Sequence, residues 1–344
     1  MRHRLLAGAM LASMTGAAAV AQPVSLMPPT SSATITLMTY NVKGLPWPIT
    51  ADRTAALKAI ARQLQALRSK GQQPNLVALQ EAFVPEAKAI GKAAGYRYMA
   101  LGPGRDVPAA TGNAQDLAFA ADGSVLLGEG VGKRVDSGLV IFSDYPIVAV
   151  RRMTYSVCAG YDCLANKGAM AAQVAVPGLA VPLTVIDSHL NSGLASRTTR
   201  ARMTYAFRRQ LDALRAFVAN VAVAGSPILI AGDLNVGHRR ERLGYFNERM
   251  LSSATGFAAA ESNCTSRSCP GSGSDDVSES ILRARDWLLY RSSAAVTVRP
   301  TNLVAPFGRA ADRSMLSDHI GIIATYALNA RRRVEPRRLE FASR

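Results

Sequence analysis

Residues 228–235 read Ile-Leu-Ile-Ala-Gly-Asp-Leu-Asn, an apolar stretch followed by Asp233 and Asn235. A short, continuous apolar segment of this kind is typical of a buried strand. A carboxylate and an amide directly after such a strand lie at the end of a rigid element, which is where many folds place their functional side chains. The stretch therefore predicts a buried strand that carries part of a polar site at its end.

The same arrangement recurs along the chain. Strand-like stretches at 36–40, 76–80, 183–186 and 320–323 each have polar side chains directly beside them. These side chains are carboxylates, amides and imidazoles: Asn41, Glu81, Asp187, His189, Asp318 and His319. One such residue alone is usually a cap or a turn residue, so only the recurrence suggests a common site. His238 stands beside Arg239 and Arg240, and we expect it at the surface.

The order of predicted elements indicates a mixed α and β domain. Strands outnumber helices and do not alternate with them regularly, which argues against a dinucleotide-binding fold or an eight-fold barrel. No internal repeat or domain boundary is evident. We predict helices at 52–68, 85–94, 198–220 and 241–251, and irregular loops at 102–132 and 265–280.

The N-terminus has the pattern of a secretory signal. Arg2 and Arg4 precede an apolar stretch from 5 to 20, and Ala19-Val20-Ala21 resembles a cleavage site. No later stretch reaches the roughly 18 apolar residues of a membrane span. We expect a signal peptide at 1–21, a linker at 22–33, a catalytic domain at 34–328 and a basic disordered tail at 329–344. The protein would then be secreted or periplasmic.

The four cysteines form two close pairs, Cys158 with Cys163 and Cys264 with Cys269. Export to an oxidising compartment favours two local disulfides. A zinc ion held by all four cysteines is the alternative, although the spacing within each pair is at the wide end of the zinc range.

The chain carries a formal charge of +16, which attracts polyanions such as nucleic acid, anionic lipid or cell-wall polymers without choosing among them. The predicted polar site is rich in oxygen donors, which suit a hard cation such as Mg²⁺, with Mn²⁺ or Ca²⁺ as alternatives.

Seven short motifs appear in the order that the endonuclease/exonuclease/phosphatase superfamily shows. They are Thr39-Tyr-Asn-Val, Leu79-Gln-Glu, Ser137-Gly-Leu-Val-Ile-Phe-Ser, Ser188-His-Leu, Gly232-Asp-Leu-Asn, Arg285-Asp-Trp-Leu and Ser317-Asp-His. From about Thr36 to Tyr326 the chain therefore resembles that family. The resemblance implies an α+β fold, a four-layered α/β/β/α sandwich of two packed mixed sheets with helices on the outer faces. It also implies a metal-dependent hydrolase of phosphoric esters, and we expect a monomer.

The resemblance also implies roles for the motif residues. Glu81 would be the principal metal ligand, aided by Asn41, with Asp318 on the same or a second ion. Asp233 and Asn235 would orient or deprotonate the attacking water. His319, held by Asp286, would stabilise the phosphoryl oxygen, and His189 would be the second imidazole.

Some details resemble the neutral sphingomyelinase-like branch. Asn41 is followed by Gly44-Leu-Pro and by Arg53, and Asn166-Lys167-Gly168 precedes the strand that leads to His189. Lys167 would contact the substrate phosphate, unless it is an ordinary exposed lysine. Trp47 is either buried or exposed for contact with a membrane surface. The sequence departs from the branch at Leu190-Asn-Ser and lacks an evident aromatic-tipped hairpin.

The rival interpretation is a secreted nonspecific nuclease similar to type I deoxyribonuclease. Phosphodiesters of lipid headgroups and of nucleic acid are thus both candidate substrates. An arginine cluster suits phosphate tracking, unless it is merely a solvated helix face: Arg197, Arg200, Arg202, Arg208 and Arg209. A phosphatase of inositol or sugar phosphates and a non-catalytic binding protein on the same fold are further alternatives.

Overall fold

The computed structural model describes residues 32–331, which form two mixed six-stranded sheets. The first sheet has the order β11-β12-β1-β2-β4-β3, and the second has the order β5-β6-β7-β8-β10-β9. The strands of the first sheet are β1 (Ser32–Gly44), β2 (Leu76–Ala82), β3 (Tyr98–Leu101), β4 (Val140–Ser143), β11 (Val296–Phe307) and β12 (Gly321–Ala330). Those of the second are β5 (Ile147–Thr154), β6 (Gly168–Val174), β7 (Leu183–His189), β8 (Ile228–Asp233), β9 (Ala258–Ala259) and β10 (Asp286–Arg291).

Each sheet contains one parallel pair among antiparallel neighbours. In the first sheet β1 runs parallel to β2, and in the second β7 runs parallel to β8. Parallel neighbours end at the same edge of a sheet. The two pairs therefore bring the ends of four buried strands to the edges where the predicted polar residues stand.

Eight helices complete the described part of the chain. They are α1 (Thr54–Ser69), α2 (Pro85–Lys88), α3 (Ile90–Ala93), α4 (Ala114–Ala121), α5 (Arg200–Val221), α6 (Arg240–Met250), α7 (Ala260–Arg267) and α8 (Asp275–Arg283). None of the helices within 32–331 combines the length and the apolarity needed to cross a bilayer.

The alternation of side chains along the strands creates three apolar layers. In β1, Ile35 and Leu37 face the second sheet, whereas Met38 and Tyr40 face α1 and α3. The outer face of the second sheet packs against α5 and α6 through residues such as Phe207. Because both faces of each sheet are covered, the central strands are buried throughout, which explains their continuous apolar sequences. The predicted four-layered α/β/β/α sandwich is confirmed.

Two predicted loops contain helices. In the segment 102–132, Asn113 and Asp116 form a capping box at the start of α4. In the segment 265–280, Ser274 caps α8. These helices are eight and nine residues long. This is too short for apolar periodicity to reveal them, although their N-terminal capping residues are visible in the sequence.

The limits of the domain also differ slightly from the prediction. Ser32 pairs with Asn329, and β12 continues to Ala330. Both ends of this pairing extend into segments that we expected to be linker and tail. The signal peptide predicted at 1–21 and the remainder of the linker and the tail lie outside the described residues.

Cys158 is bonded to Cys163, and Cys264 is bonded to Cys269. Both disulfides close loops between residues five apart in sequence. Because each cysteine is bonded to the other member of its own pair, the four sulfur atoms do not form a zinc site.

Glu261 of α7 is a buried carboxyl group that predicts a pH-dependent stability. Its Oε1 accepts a hydrogen bond from Leu288 N at 2.7 Å, but its other oxygen has no partner among the described residues. Burial raises the pKa of Glu261 to about 8. Between the ordinary pKa of a glutamate and the raised pKa in the folded protein, Glu261 keeps its proton in the folded state and loses it in the unfolded chain. The free energy of unfolding therefore falls as the pH rises through this range, by at most about 1.4 kcal/mol per pH unit.

Glu261→Gln keeps the accepting oxygen and removes the titration. We expect the variant to be more stable than the wild type at pH 8 and similar to it near pH 4, as measured by urea unfolding at both values. An equal stability difference at both pH values would contradict this account of Glu261.

Candidate active site

The polar residues predicted from strand ends converge at one edge of the two sheets. The register of the second sheet aligns His189 with Asp233 and Asp286 with Asp233, so three strands present these side chains at one level. Asn41 of the first sheet donates from Nδ2 to Asp233 Oδ2 at 3.0 Å, which joins the two sheets directly. The structure therefore brings the ends of these strands and the polar side chains on them together.

Glu81 lies beside this junction and is partly exposed to the cavity. Asn41 Nδ2 also donates to Glu81 Oε1 at 2.9 Å. Burial raises the pKa of Glu81. One carboxylate oxygen of Glu81, one ring nitrogen of His189 and one carboxylate oxygen of Asp233 lie within 4.8 Å of one another. Oxygen-rich surroundings of this kind fit a divalent cation, which would also relieve the cost of burying the Glu81 charge.

Three residues around the site have left-handed backbone conformations. The φ angle is 51° at Lys43, 53° at Glu81 and 49° at Asn235. Non-glycine residues rarely adopt such angles, which cost on the order of 1 kcal/mol or more each. The surrounding hydrogen bonds hold them in place; for example, Lys43 N donates to Asn41 Oδ1 at 3.0 Å.

His319 and Asp286 form a buried ion pair. His319 Nδ1 lies 2.8 Å from Asp286 Oδ2, and its Nε2 lies 3.7 Å from Asp233 Oδ2. Burial alone would lower the pKa of His319, but the carboxylates of Asp286 and Asp233 outweigh it and raise that pKa to about 10. His319 is consequently an imidazolium at neutral pH, with Asp286 fixing the orientation of its ring.

His189 has the opposite character. Burial, together with the charges of Lys167 and His319, holds the pKa of His189 well below its ordinary value. Lys167 Nζ lies 3.0 Å from His189 Nε2 and pairs with Asp162 Oδ1 at 3.1 Å. Lys167 is therefore a buried cation of the cavity wall and not the exposed lysine that was the alternative.

Several residues that the sequence did not assign to the site position it. Arg53 donates to the carbonyl oxygens of Val42, Lys43 and Leu316, and Ser317 Oγ donates to Asn41 O at 2.7 Å. These bonds tie the loop that bears His319 to the end of β1. The signal for Arg53 was its place directly after the Asn41 segment, whereas nothing in the sequence marked Ser317 for this contact.

Arg242 and Asp162 were also missed. Arg242 is buried, donates to Asn235 O at 2.8 Å and to Asn191 O at 3.2 Å, and lies over the ring of Phe207. It thereby fixes the segment that follows Asp233. Only three-dimensional proximity reveals such roles, because these partners are scattered along the chain.

Three polar residues stand apart from the centre. Asp318 lies on the rim of the cavity and pairs with Lys43 Nζ at 3.2 Å. His238 is exposed on the cavity wall, as expected of a surface residue. Asp187 does not reach the cavity; it lies between the sheets, where Gln80 Nε2 donates to its Oδ1 at 2.8 Å.

The basic helix α5 is largely neutralised by its neighbours. Arg209 binds both carboxylate oxygens of Asp116 at 2.7 Å, and Arg202 pairs with Glu129 at 3.1 Å. Arg208 pairs with Glu241 at 3.1 Å. These arginines anchor the segment around α4 and the start of α6.

A cavity of about 620 Å³ opens over the converging residues, with Glu81, Asp233 and His319 in its wall. The family model described as "Endonuclease/Exonuclease/phosphatase family" matches residues 38–319. The chain belongs to that family. It is accordingly a metal-dependent hydrolase of phosphoric esters.

Solved structures of this family share the fold at low sequence identity. Sphingomyelinase C from Streptomyces griseocarneus has a TM-score of 0.58 at 22% identity, and the match covers 85% of this chain and 99% of that one. A beta toxin mutant from Staphylococcus aureus with bound magnesium ions has a TM-score of 0.58 at 18% identity, covering 85% and 99%. TDP2 from D. rerio, complexed with single-strand DNA product, has a TM-score of 0.54 at 16% identity, covering 86% and 99%. No match to a curated protein sequence was found.

The ion pair between Asp286 and His319 yields a direct prediction. Asp286→Asn removes the charge nearest to the imidazolium, so we expect the pKa of His319 in the metal-free protein to fall from about 10 by roughly 1–3 pH units. Titration of the histidine ring protons by NMR measures it. An unaltered His319 titration would contradict the assignment.

Proposed function

We propose that the protein is a secreted, Mg²⁺-dependent phosphodiesterase of the sphingomyelinase-like kind, which cleaves headgroup phosphodiesters of phospholipids. The observation that carries the proposal is the meeting of the Glu81 carboxylate and the Asp286–His319 ion pair around Asp233 in one cavity. This combination offers a cation site, a base and a charged hydrogen-bond donor to one phosphodiester group.

Glu81 is the proposed principal metal ligand. Asn41 and Asp318 are proposed as further ligands. Mg²⁺ is favoured because it takes one or two carboxylates and completes its shell with water and phosphate oxygens. When bound, the ion would polarise the phosphoryl oxygen and stabilise the leaving oxygen.

The protein residues supply the proton transfer and the charge stabilisation. Burial raises the pKa of Asp233, which suits it to accept a proton from the attacking water. Asn235 N donates to Asp233 Oδ1 at 3.2 Å, which fixes the carboxylate, and its side chain is proposed to orient the water. His319 would donate from Nε2 to a phosphoryl oxygen and stabilise the charge of the transition state.

Lys167 and His189 complete the proposed site beside Asp233 and Glu81. Lys167, held by Asp162 and by Leu190 O at 3.1 Å, presents a fixed charge to the substrate phosphate. His189 is neutral and lies 3.4 Å from Asp233, so it is proposed to contact the leaving group or the phosphate.

Two features support a lipid substrate over nucleic acid. Three of the five arginines that would track a phosphate backbone, Arg202, Arg208 and Arg209, are paired with carboxylates of neighbouring elements. In the segment that follows β1, Trp47 is 85% exposed and Ile49 is 62% exposed. Exposed aromatic and apolar residues of this kind favour the membrane–water interface.

Secretion is part of the proposal. The pattern at 1–21 and the two disulfides within 32–331 both agree with an oxidising destination. We propose a signal peptide at 1–21 and a catalytic domain that begins near residue 32, in a protein that acts as a monomer.

Removal of the proposed base tests the reaction. We expect Asp233→Asn to lower kcat for bis(p-nitrophenyl) phosphate in Mg²⁺ by about 10²–10⁴-fold, because the amide cannot accept the water proton. EDTA should abolish the wild-type activity, and added Mg²⁺ should restore it. Glu248→Gln, an exposed acid-to-amide change on α6, is the matched control. Wild-type rates for Asp233→Asn, with its circular dichroism unchanged, would refute the assignment.

Replacement of the exposed aromatic residue tests the substrate class. We expect Trp47→Ala to weaken binding to sphingomyelin-containing vesicles about tenfold, equivalent to about 1.4 kcal/mol, and to leave hydrolysis of the soluble diester unchanged. Vesicle co-sedimentation measures the binding. Leu126→Ala, at an 89% exposed apolar residue elsewhere on the surface, is the control. Nicking of plasmid DNA without any release of lipid headgroups would favour the nuclease instead.

A further inference from the structure

The wall of the cavity carries both signs of charge. Glu81, Asp233 and Asp318 are the carboxylates proposed to serve the cation and the attacking water. The remaining charged wall contains four arginines, His238 and the Asp162–Lys167 pair; the arginines are Arg239, Arg242, Arg283 and Arg285. The proposed reaction uses Lys167 from this set but none of the four arginines.

Arg239 and Arg285 are the cavity arginines whose side chains have no partner among the described residues. Arg283 is paired with Glu279, and Arg242 is held by the carbonyl oxygens of Asn191 and Asn235. For Arg239 and Arg285, by contrast, no carboxylate within residues 32–331 lies at ion-pair distance. Two guanidinium groups without a carboxylate partner in the wall of one cavity attract an anion that enters it.

The backbone that bears these two arginines is held in place. Leu234 N donates to Arg285 O at 2.8 Å, and Gly237 N donates to Ala284 O at 2.8 Å. These bonds extend the pairing of β8 with β10 beyond Asp233 and Asp286. Arg285 directly precedes Asp286, and Arg239 is the N-cap residue of α6, whose Arg242 donates to Asn235 O. The backbone that bears both arginines is therefore fixed relative to the reaction centre.

Among the described residues that line the cavity there is no Phe, Tyr or Trp. A quaternary ammonium headgroup is commonly recognised by aromatic faces, through cation–π attraction. The cavity wall thus lacks the usual partners of a choline group, whereas guanidinium groups match the geometry and the charge of phosphate.

We propose that Arg239 and Arg285 form a second anion subsite, which binds a phosphate group on the substrate besides the one that is cleaved. The substrate class is then a phospholipid whose headgroup carries its own phosphate. This inference rests on the proposed phosphodiesterase function and narrows its substrate. His238 stands beside the subsite and adds a hydrogen-bond donor.

Direct binding tests the subsite without requiring turnover. Isothermal titration calorimetry in Mg²⁺ compares 1,3-propanediol bisphosphate with propyl phosphate, two ligands that differ by one phosphate group. We expect the wild type to bind the bisphosphate at least tenfold more tightly, as charge-assisted hydrogen bonds to the second phosphate predict. In Arg239→Gln/Arg285→Gln, which keeps the length of the apolar stems, the two ligands should bind equally.

A charge-matched control separates the subsite from general electrostatic attraction. Arg151→Gln/Arg299→Gln removes two exposed arginines from β5 and β11 and should keep the preference for the bisphosphate. Equal affinities in the wild type, or a preference that survives in Arg239→Gln/Arg285→Gln, would overturn the proposal. Loss of the preference in the control would overturn it too, since net charge alone would then explain it.

Hydrolysis assays distinguish this proposal from the function on which it rests. Arg239→Gln/Arg285→Gln should cleave bis(p-nitrophenyl) phosphate at the wild-type rate but lose the faster hydrolysis of phosphatidylinositol 4-phosphate vesicles over phosphatidylcholine vesicles. If no diester is cleaved while the calorimetric preference stands, the proposed function fails and the subsite does not. Preferred cleavage of an oligothymidylate, dependent on the same two arginines, would overturn the lipid assignment.

Discussion

The buried carboxylate of Asp233 is the group on which the arrangement of the site depends. It accepts a hydrogen bond from Asn41 of the first sheet and lies beside both imidazoles, His189 and His319. A buried charge without partners costs several kcal/mol, so the two sheets must meet in a register that supplies them. The same contacts that satisfy Asp233 bring Glu81 and His319 to one cavity. The contacts that stabilise the buried Asp233 are therefore the same contacts that arrange the residues of the proposed site.

His189 and His319 have the same side chain, but their surroundings shift their pKa values in opposite directions. Asp286 and Asp233 raise the pKa of His319, whereas burial beside Lys167 lowers that of His189. One ring is a cation and the other is neutral at the same pH. In the proposed function the charged ring donates to the phosphoryl oxygen, whereas the neutral ring contacts the leaving group or the phosphate.

Charge has two different uses in this strongly basic chain. On α5, arginines form ion pairs that fasten the segment around α4, and Arg242 ties three backbone segments together from within. On the cavity wall, Arg239 and Arg285 remain without acidic partners among the described residues. Net charge therefore does not identify the ligand, and the proposed anion subsite rests on the two cavity arginines that lack an acidic partner among the described residues.

The sequence by itself predicted a mixed α and β domain, because buried strands read as continuous apolar stretches, and the resemblance carried by its motifs predicted the sandwich. The polar residues that the structure brings together also stand out in the sequence at the ends of these strands. The sequence did not reveal the short helices α4 and α8, which are below the length at which periodicity is visible. It also left open whether Lys167 and Trp47 are buried, and it included Asp187 among the strand-end acids although that carboxyl lies between the sheets. The positioning contacts of Arg53, Ser317 and Arg242 join segments far apart in the chain. Only the tertiary structure decides such contacts, because the partner of a side chain depends on how the two sheets pack and not on its neighbours in sequence.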